Sequence, residues 1–409
     1  MTSPDQLAEL LYGDYSATDP REALRAMATV PAMKDPRSGA LFVTGYDLVR
    51  ELLTHPGLTS STLRDPLAGA GLSPEQTALH RPVRDFVSLW PVFSSGDYHR
   101  EIRSRIRPAL DRGNVTALVS LLEHDCRDLL HGLRDAGGEC DWAAAFCRPY
   151  SLALLARLFG TSTAHMTDLA QATDGLMAYL AKPRSYTDDE LARGANASLD
   201  RARTEVREHI LNGGRGELAA VLRDMAQDPR LGQDVAVAVT AQIVTGTLDP
   251  LAAILTEVVM RGGEDLFTGA ADATEPQAST DFTEFTEEVL RISCPFRFAP
   301  RYAVRDMEIA GHRVEAGQRV MLILAAANLD AAAFPEPLDW RPGAREPRQL
   351  AFGAGSHYCV GAPLARGATD ALCRVLASDG IRVRHDPATF ERAAPMGADR
   401  VLGLRVTVH

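Results

Sequence analysis

Lysine is nearly missing from this chain. Lys34 and Lys182 are the only two in 409 residues, so almost all of the 43 basic side chains are arginine, the usage expected of a GC-rich genome. Positive charge is also in the minority, with a formal net charge of −11. That balance argues against general nucleic-acid binding and against docking on an anionic membrane. No run of about 18 uninterrupted apolar residues occurs, so no membrane span is expected. The opening MTSPDQLAELLYGDY lacks a basic segment followed by an apolar run, so no export signal is expected either. Cysteine is scarce and scattered at 126, 140, 147, 294, 359 and 373. These positions form no CxxC pair and no zinc spacing, which points away from disulfide-stapled and zinc-built folds. No 20–50-residue repeat is visible, which sets aside solenoids and propellers. The expectation is a cytoplasmic protein with free thiols.

What is present is an ordinary soluble composition, 45% apolar and 24% charged. At roughly 150 residues per domain, this length allows two or three domains. Helical spacing dominates. Leu118 to Leu133 and Tyr150 to Phe159 repeat apolar residues at three and four, and Asp234 to Met260 is apolar on most sides. The centre of that last segment, VTGTLDPL, carries Gly246 and Pro250. Proline has no N–H to give the Gly246 carbonyl, which predicts a kink. Strand signals are short: Leu41 to Thr44, Arg301 to Val304, Met307 to Ile309, Arg313-Val314, Arg319 to Leu324, and one strand over Val401 to Val408. Ser185 to Asp189 and Gly262 to Asp281 read as linkers, neither separating independent domains.

The sharpest local feature is AFGAGSHYCVGAPLAR, residues 351 to 366. Cys359 lies in a glycine-rich loop just before a helical pattern through Leu364, Ala368, Leu372 and Leu376, with Gly380 as its stop. Backbone N–H groups and the helix dipole there favour thiolate, so a lowered thiol pKa is expected. A thiolate is a nucleophile or a metal ligand. A nucleophile needs a base, and only His357 is near; zinc needs partners that are not visible. A buried structural cysteine is the remaining possibility for a lone Cys. The full pattern Phe-x-x-Gly-x-His-x-Cys-x-Gly is far more specific than any of these.

That pattern resembles the cytochrome P450 family, the soluble bacterial heme-thiolate monooxygenases, and the resemblance extends over nearly the whole chain. It implies a mainly α fold with a small β region, one domain spanning residues 1–409, and heme b (iron protoporphyrin IX) with Cys359 as its metal ligand. By the same resemblance Phe352 packs beside the ligand and Gly361 lets the porphyrin approach. Glu288 and Arg291 match the ExxR pair that braces the heme core. That pair's third partner, an Arg after an aromatic, is less clear. Trp340 fits the aromatic, Ala344 falls where the Arg belongs, and Arg341 or Arg345 would have to substitute. His99 and Arg103, i and i+4 in GDYHREIR, match propionate donors, as do Arg301 and His357. Arg100, Arg105, Arg107 and Arg112 read as solvated, or as a basic face for an acidic redox partner. VTGYDLVRELL at 43–53 and LGLRVTV at 402–408 resemble the family's first strand with its helix and its last hairpin. The segments 326–330 and 334–337 resemble the stretch before the Cys loop.

One segment departs from the family pattern. The helix from Asp234 corresponds to the helix crossing the distal heme face, where Ala-Gly-x-acid-Thr-Thr is usual. Aligned on Gly246, the acid becomes Leu248 and the key Thr becomes Pro250, so the acid–alcohol pair that assists proton delivery is missing. Proton delivery is then rerouted through Asp249, Thr247, water or a substrate hydroxyl. The alternatives are a peroxide-driven enzyme, or redox-neutral chemistry such as dehydration, rearrangement or coupling. Asp249 would otherwise bind a cationic substrate group, or simply bond the kinked backbone. The function expected is oxidation of a small organic substrate in specialised metabolism, including antibiotic biosynthesis, with O2 and electrons from NAD(P)H through ferredoxin reductase and ferredoxin. Substrate contacts are expected from about residues 60 to 95, helices within about 150 to 225, and Leu248 and Asp249. A heme-free accessory protein is the alternative from another class, and the intact Cys359, His99, Arg103, Arg301 and His357 set argues against it.

Overall fold

A computed structural model describes residues 20–35, 38–63, 65, 67–68, 71–181, 185–262, 282–343, 347–393 and 398–409. In chain order the elements are α1 (Arg21–Ala28), β1 (Ala32–Lys34), β2 (Leu41–Val43), α2 (Tyr46–Leu52), β3 (Leu58–Thr59), α3 (Pro74–Ser88), α4 (Gly96–Ile106), α5 (Arg112–Asp135) and β4 (Glu139–Asp141). They continue with α6 (Arg148–Phe159), α7 (Thr163–Ala181), α8 (Asp189–Glu205), α9 (Glu217–Gln227), α10 (Gln233–Gly262) and α11 (Thr283–Ser293). The C-terminal part holds β5 (Ala299–Ala303), β6 (Met307–Ile309), β7 (His312–Val314), β8 (Arg319–Leu322), α12 (Leu324–Ala327), α13 (Ala362–Ser378), β9 (Val383–His385), β10 (Glu391–Ala393), β11 (Arg400–Gly403) and β12 (Arg405–Val408). The architecture is mainly α with a small β region, as expected.

Two apolar clusters organise these elements. The larger lies among α3 to α11 and α13, around the fully buried rings of Trp142, Phe146 and Tyr150. Its rings stack in sequence, Trp142 on Phe146 at 4.2 Å and Phe146 on Tyr150 at 5.4 Å between centroids, a geometry that aromatic quadrupoles favour when offset. The smaller cluster is built on the five-stranded sheet, strand order β1-β2-β8-β5-β3, with α1, α2 and α12 against it. β2 runs parallel to β8, with Phe42 opposite Met321, and the other pairs are antiparallel.

Helix α10 is the axis of the larger cluster. Its 30 residues span about 45 Å at 1.5 Å per residue. It is long and apolar enough to cross a membrane by length and composition, and 61% of its most apolar window is buried against the rest of the fold. It runs on through Pro250 as one helix. Near its end the buried Glu257 accepts from Arg21 at 3.0 Å and from Arg261 at 2.7 Å, which ties α1 to the helix.

Two strand expectations are corrected. Val401 to Val408 is two strands, because the buried Leu404 interrupts the run and its carbonyl accepts from Trp142 N–H at 2.8 Å. β11 pairs with β10, whereas β12 pairs with β4 and β9 in another sheet. β8 ends at Leu322, and Leu324 instead opens the helical turn α12. Ser185–Thr187 is a short 3-10 turn, after which the Asp188 side chain caps α8 by accepting from Leu191 N–H at 3.1 Å. Of the second expected linker only Gly262, the last residue of α10, lies within the described residues.

Candidate active site

The loop before α13 is held by its own backbone. Gly353 N–H donates to Leu350 O at 2.8 Å, and Cys359 N–H to Phe352 O at 3.0 Å. Gly353 and Gly355 adopt φ +66° and +68°, a left-handed region that residues with a Cβ avoid. At Gly355 a Cβ would also lie 2.6 Å from Thr54 Cγ2, so no larger residue fits. The loop delivers Cys359 at the N-terminus of α13, where the N–H groups of Gly361 and Ala362 face its sulfur. The thiol nevertheless lies above its ordinary value. Although part of Cys359 is open to solvent, burial of the sulfur outweighs these N–H groups and the charges of Arg103 and Arg366. The expected lowering is thus reversed, because desolvation penalises the charged form more than the helix terminus rewards it.

Four basic side chains from three separate regions gather around one another, and one of them, Arg103, acts on that sulfur. The rings of His99 on α4 and His357 in the loop stack at 4.0 Å with 23° between planes. Arg103, one turn after His99, donates to Tyr358 O at 2.6 Å. Arg301 on β5 is buried and donates to Pro300 O at 2.9 Å. Burial, followed by the charges of its Arg neighbours, pushes His99 down to about 4; burial, His99 and the two Arg residues push His357 down to about 3. Burial also lowers Arg301 to about 10 and lowers Arg103. Among the described residues no carboxylate acts on the four. A set of bases this crowded and this poor in carboxylates matches an anionic ligand, because opposite charge restores what burial removes.

Behind the loop stands the Glu288–Arg291 pair on α11, both residues almost fully buried. Arg291 donates twice to the Glu288 carboxylate, at 2.7 and 2.8 Å, and also to the carbonyls of Asn328 at 2.9 Å and Pro337 at 2.8 Å. Asn328 then accepts Leu350 N–H on its side-chain oxygen at 2.7 Å, which connects the pair to the start of the Cys loop. The third partner of Glu288 is the backbone N–H of Arg341, at 3.0 Å. The Arg341 guanidinium turns outward to Asp339 at 3.0 Å, so its side chain does not substitute for the expected Arg. Ala344 and Arg345 lie outside the described residues. Trp340 packs edge-on to Phe285, with centroids 5.1 Å apart. Phe352 lies under the Arg366 guanidinium at 4.7 Å, and Arg366 is itself paired with Glu287.

On α10 the residues around Gly246 separate by face. At about 100° per residue, Gln242, Ile243, Asp249 and Pro250 lie within about 60° of Gly246, and Leu248 lies on the far side. Gly246 is exposed halfway along this helix, among half-buried neighbours, whereas Leu248 packs against the large core. Thr247 donates to Ile243 O at 2.7 Å and Thr245 to Ala241 O at 2.8 Å. Asp249 faces Arg400 of β11 at 3.8 Å. Burial raises its pKa, and Arg400 and Arg148 oppose the rise.

Several participants carried no sequence signal. The Arg400 side chain at Asp249 and the Asn328 side chain at Leu350 arrive only through tertiary packing. Arg105 is not a free base: Glu101 and Asp228 each lie 2.6 Å from it.

Fold and loop together resemble those of heme-thiolate proteins, and comparison with known proteins agrees. A family model for cytochrome P450 matches residues 282–374, from α11 through the Cys loop into α13. The chain is 25% identical to the steroid C26-monooxygenase of Mycolicibacterium smegmatis, over 90% of this chain and 86% of the relative. It is 23% identical to the 6-deoxyerythronolide B hydroxylase of Saccharopolyspora erythraea, over 92% of this chain and 91% of the relative. The crystal structure of ligand-free CYP164A2 from Mycobacterium smegmatis shares its fold, with a TM-score of 0.77, 22% identity, and coverage of 99% of this chain and 100% of that one. Residues 282–374 thus match the cytochrome P450 family model, and over nearly its whole length the chain is similar to cytochromes P450, whose members bind heme and are oxidoreductases of monooxygenase type.

Proposed function

We propose that residues 1–409 form one heme-thiolate unit that oxidises a small organic substrate in the specialised metabolism of a bacterial cytoplasm. One observation carries the reading: His99, Arg103, Arg301 and His357 converge with no carboxylate among them, and Arg103 acts on the Cys359 sulfur. Heme b would fit this set, held at its iron by Cys359 and at its propionates by the four bases. Cys359 belongs to no His, Cys, Asp or Glu cluster able to hold a metal among the described residues, so a metal bound here brings its other ligands with it. Gly361 supports a flat ligand as well. Its φ of −83° is ordinary, and a Cβ there would make only normal contact with Cys359 Sγ at 3.8 Å, so neither backbone nor packing demands glycine.

When bound, heme supplies the activation of O2 with two electrons. The chain's own residues do the rest. Arg103 and Arg301 would hold the propionates by charge, and His99 and His357 would orient them by donating ring N–H groups. The Gly361 and Ala362 N–H groups and the Arg366–Phe352 stack shield the sulfur from water and from reprotonation. Asp249, partly exposed and within reach of Arg400, carries a proton at Oδ1 between solvent and the open face of α10. Thr247 holds its hydroxyl hydrogen on Ile243 O, so it accepts at that face and positions what Asp249 delivers. Substrate is contacted from about residues 60 to 95, from the helices within about 150 to 225 and from Asp249, with Leu248 behind them. A ferredoxin, reduced by NAD(P)H through its reductase, meets the exposed Arg100 and Arg107.

The test is the spectrum of the dithionite-reduced protein under carbon monoxide. A long-wavelength thiolate band that Cys359→His abolishes is expected; purified protein without heme, or a band insensitive to that change, overturns the reading. A second reading, peroxide-driven or redox-neutral chemistry, is favoured by proline at position 250, where no hydroxyl can serve. Turnover with no electron donor, with and without peroxide, distinguishes the two.

A further inference from the structure

Pro250 does more than remove a hydroxyl. An α-helix satisfies the carbonyl of residue i with the N–H of residue i+4, and proline has none. Residue 246 therefore lacks its regular helix donor. It is also the exposed residue of this turn, set among half-buried neighbours. The side chains at 245, 247 and 249 share one polarity, while Gln242 on the face of Gly246 carries an amide donor. The Thr245 and Thr247 hydroxyl hydrogens are spent on Ala241 O at 2.8 Å and Ile243 O at 2.7 Å, which leaves lone pairs outward. Asp249 adds a carboxylate on the face of Gly246, within 3.8 Å of Arg400. From residue 245 to residue 250 the helix therefore offers hydrogen-bond acceptors and holds back its donors.

We infer that the Gly246 carbonyl, left without its helix donor by Pro250, is a substrate-binding acceptor that selects substrates carrying an N–H or O–H group within one helical turn of the oxidised position. The inference rests on the heme-thiolate reading above and names the substrate class for that site: hydroxylated, amino or amide-bearing molecules in place of plain hydrocarbons. A ligand that donates to Gly246 O satisfies a carbonyl that burial of a purely apolar ligand would strand. Specificity of this kind is sharp, because the analogue lacking the donor leaves the acceptor unpaired.

The experiment uses the ferric holoprotein and four iron-binding probes: 4-phenylimidazole and its three hydroxyphenyl isomers, which place an O–H at different positions around the iron. Binding is read from the shift of the heme absorption band. The best hydroxylated isomer is expected to bind about fivefold more tightly than the parent, the worth of one good hydrogen bond. Pro250→Ala supplies an N–H for Gly246 O. It should reduce that preference to below about twofold, leave the parent's affinity in place, and make the new backbone amide at position 250 protected from hydrogen exchange. Asp249→Asn should retain the preference. Equal binding of all probes by the native protein, an undiminished preference or an unprotected amide in Pro250→Ala, or a preference lost only in Asp249→Asn each overturns the inference. Failure of even 4-phenylimidazole to shift the heme band, in contrast, is a failure of the heme-thiolate reading itself.

Discussion

Arg291→Met is the substitution whose cost the structure defines best. The methionine has similar reach and no charge, and the site has almost no access to water. Four hydrogen bonds of 2.7 to 2.9 Å disappear, two to Glu288 and two to the carbonyls of Asn328 and Pro337. Breaking a buried ion pair by removing one partner costs about 3–5 kcal/mol, since the survivor stays charged in a low dielectric. Each stranded carbonyl adds about 1 kcal/mol. The sum, about 5–7 kcal/mol, rivals the whole stability of an ordinary domain, about 5–15 kcal/mol. Urea unfolding of the purified holoprotein is the assay, with the heme-to-protein ratio read in parallel. The single variant should unfold at far lower urea and retain little heme. Pairing it with Glu288→Gln should restore about 2 kcal/mol, because no uncompensated charge remains. A loss below about 0.5 kcal/mol for Arg291→Met is the size of a surface effect. That result, or a double variant no better than the single, would refute the argument that this pair is a buried brace.

Other expectations follow from the same geometry. Arg301→Gln removes the more buried of the two arginines among the proposed propionate donors and should weaken heme retention at least tenfold in transfer to apomyoglobin; unchanged transfer rates would remove Arg301 from the set. Asp249→Asn should lower coupling of NAD(P)H consumption to product several-fold and slow the reaction in D2O further, whereas wild-type coupling would show that Asp249 is not the proton carrier. Burial tends to raise the Asp379 carboxyl, but hydrogen bonds from Arg127 at 2.8 Å, from His131 at 3.0 Å and from Ser378 outweigh it and hold the group below the usual carboxylate range. A depressed folded-state value stabilises the fold above about pH 4 and loses that contribution as pH falls through it. Asp379→Asn should therefore be less stable than wild type at pH 7 and lose less stability on acidification; parallel stability curves from pH 7 to pH 3 would contradict this.

Much was legible before any fold was known. The Cys loop could be read because it is local: its glycines, His357 and Cys359 act through backbone conformation within about ten residues. The spacing of Glu288 and Arg291, and of His99 and Arg103, was legible for the same reason. The thiol's direction of shift was misread, since helix-terminus polarity is visible in sequence and desolvation is not. The third partner of Glu288 was also missed. It is the backbone N–H of Arg341, which any non-proline residue can provide, so side-chain type gave no signal.

By itself, then, the sequence determined the helical content, the Cys loop and the absence of an alcohol at position 250, all consequences of short-range periodicity and residue chemistry. Tertiary structure alone decided which long-range partners meet. His99 and His357, 258 positions apart, stack at 4.0 Å because α4 crosses the Cys loop. Arg400 reaches Asp249 because the terminal strands divide between two sheets and β11 lies against α10. Such encounters depend on how whole elements pack, and packing is fixed by the burial of apolar faces far from the residues that finally touch.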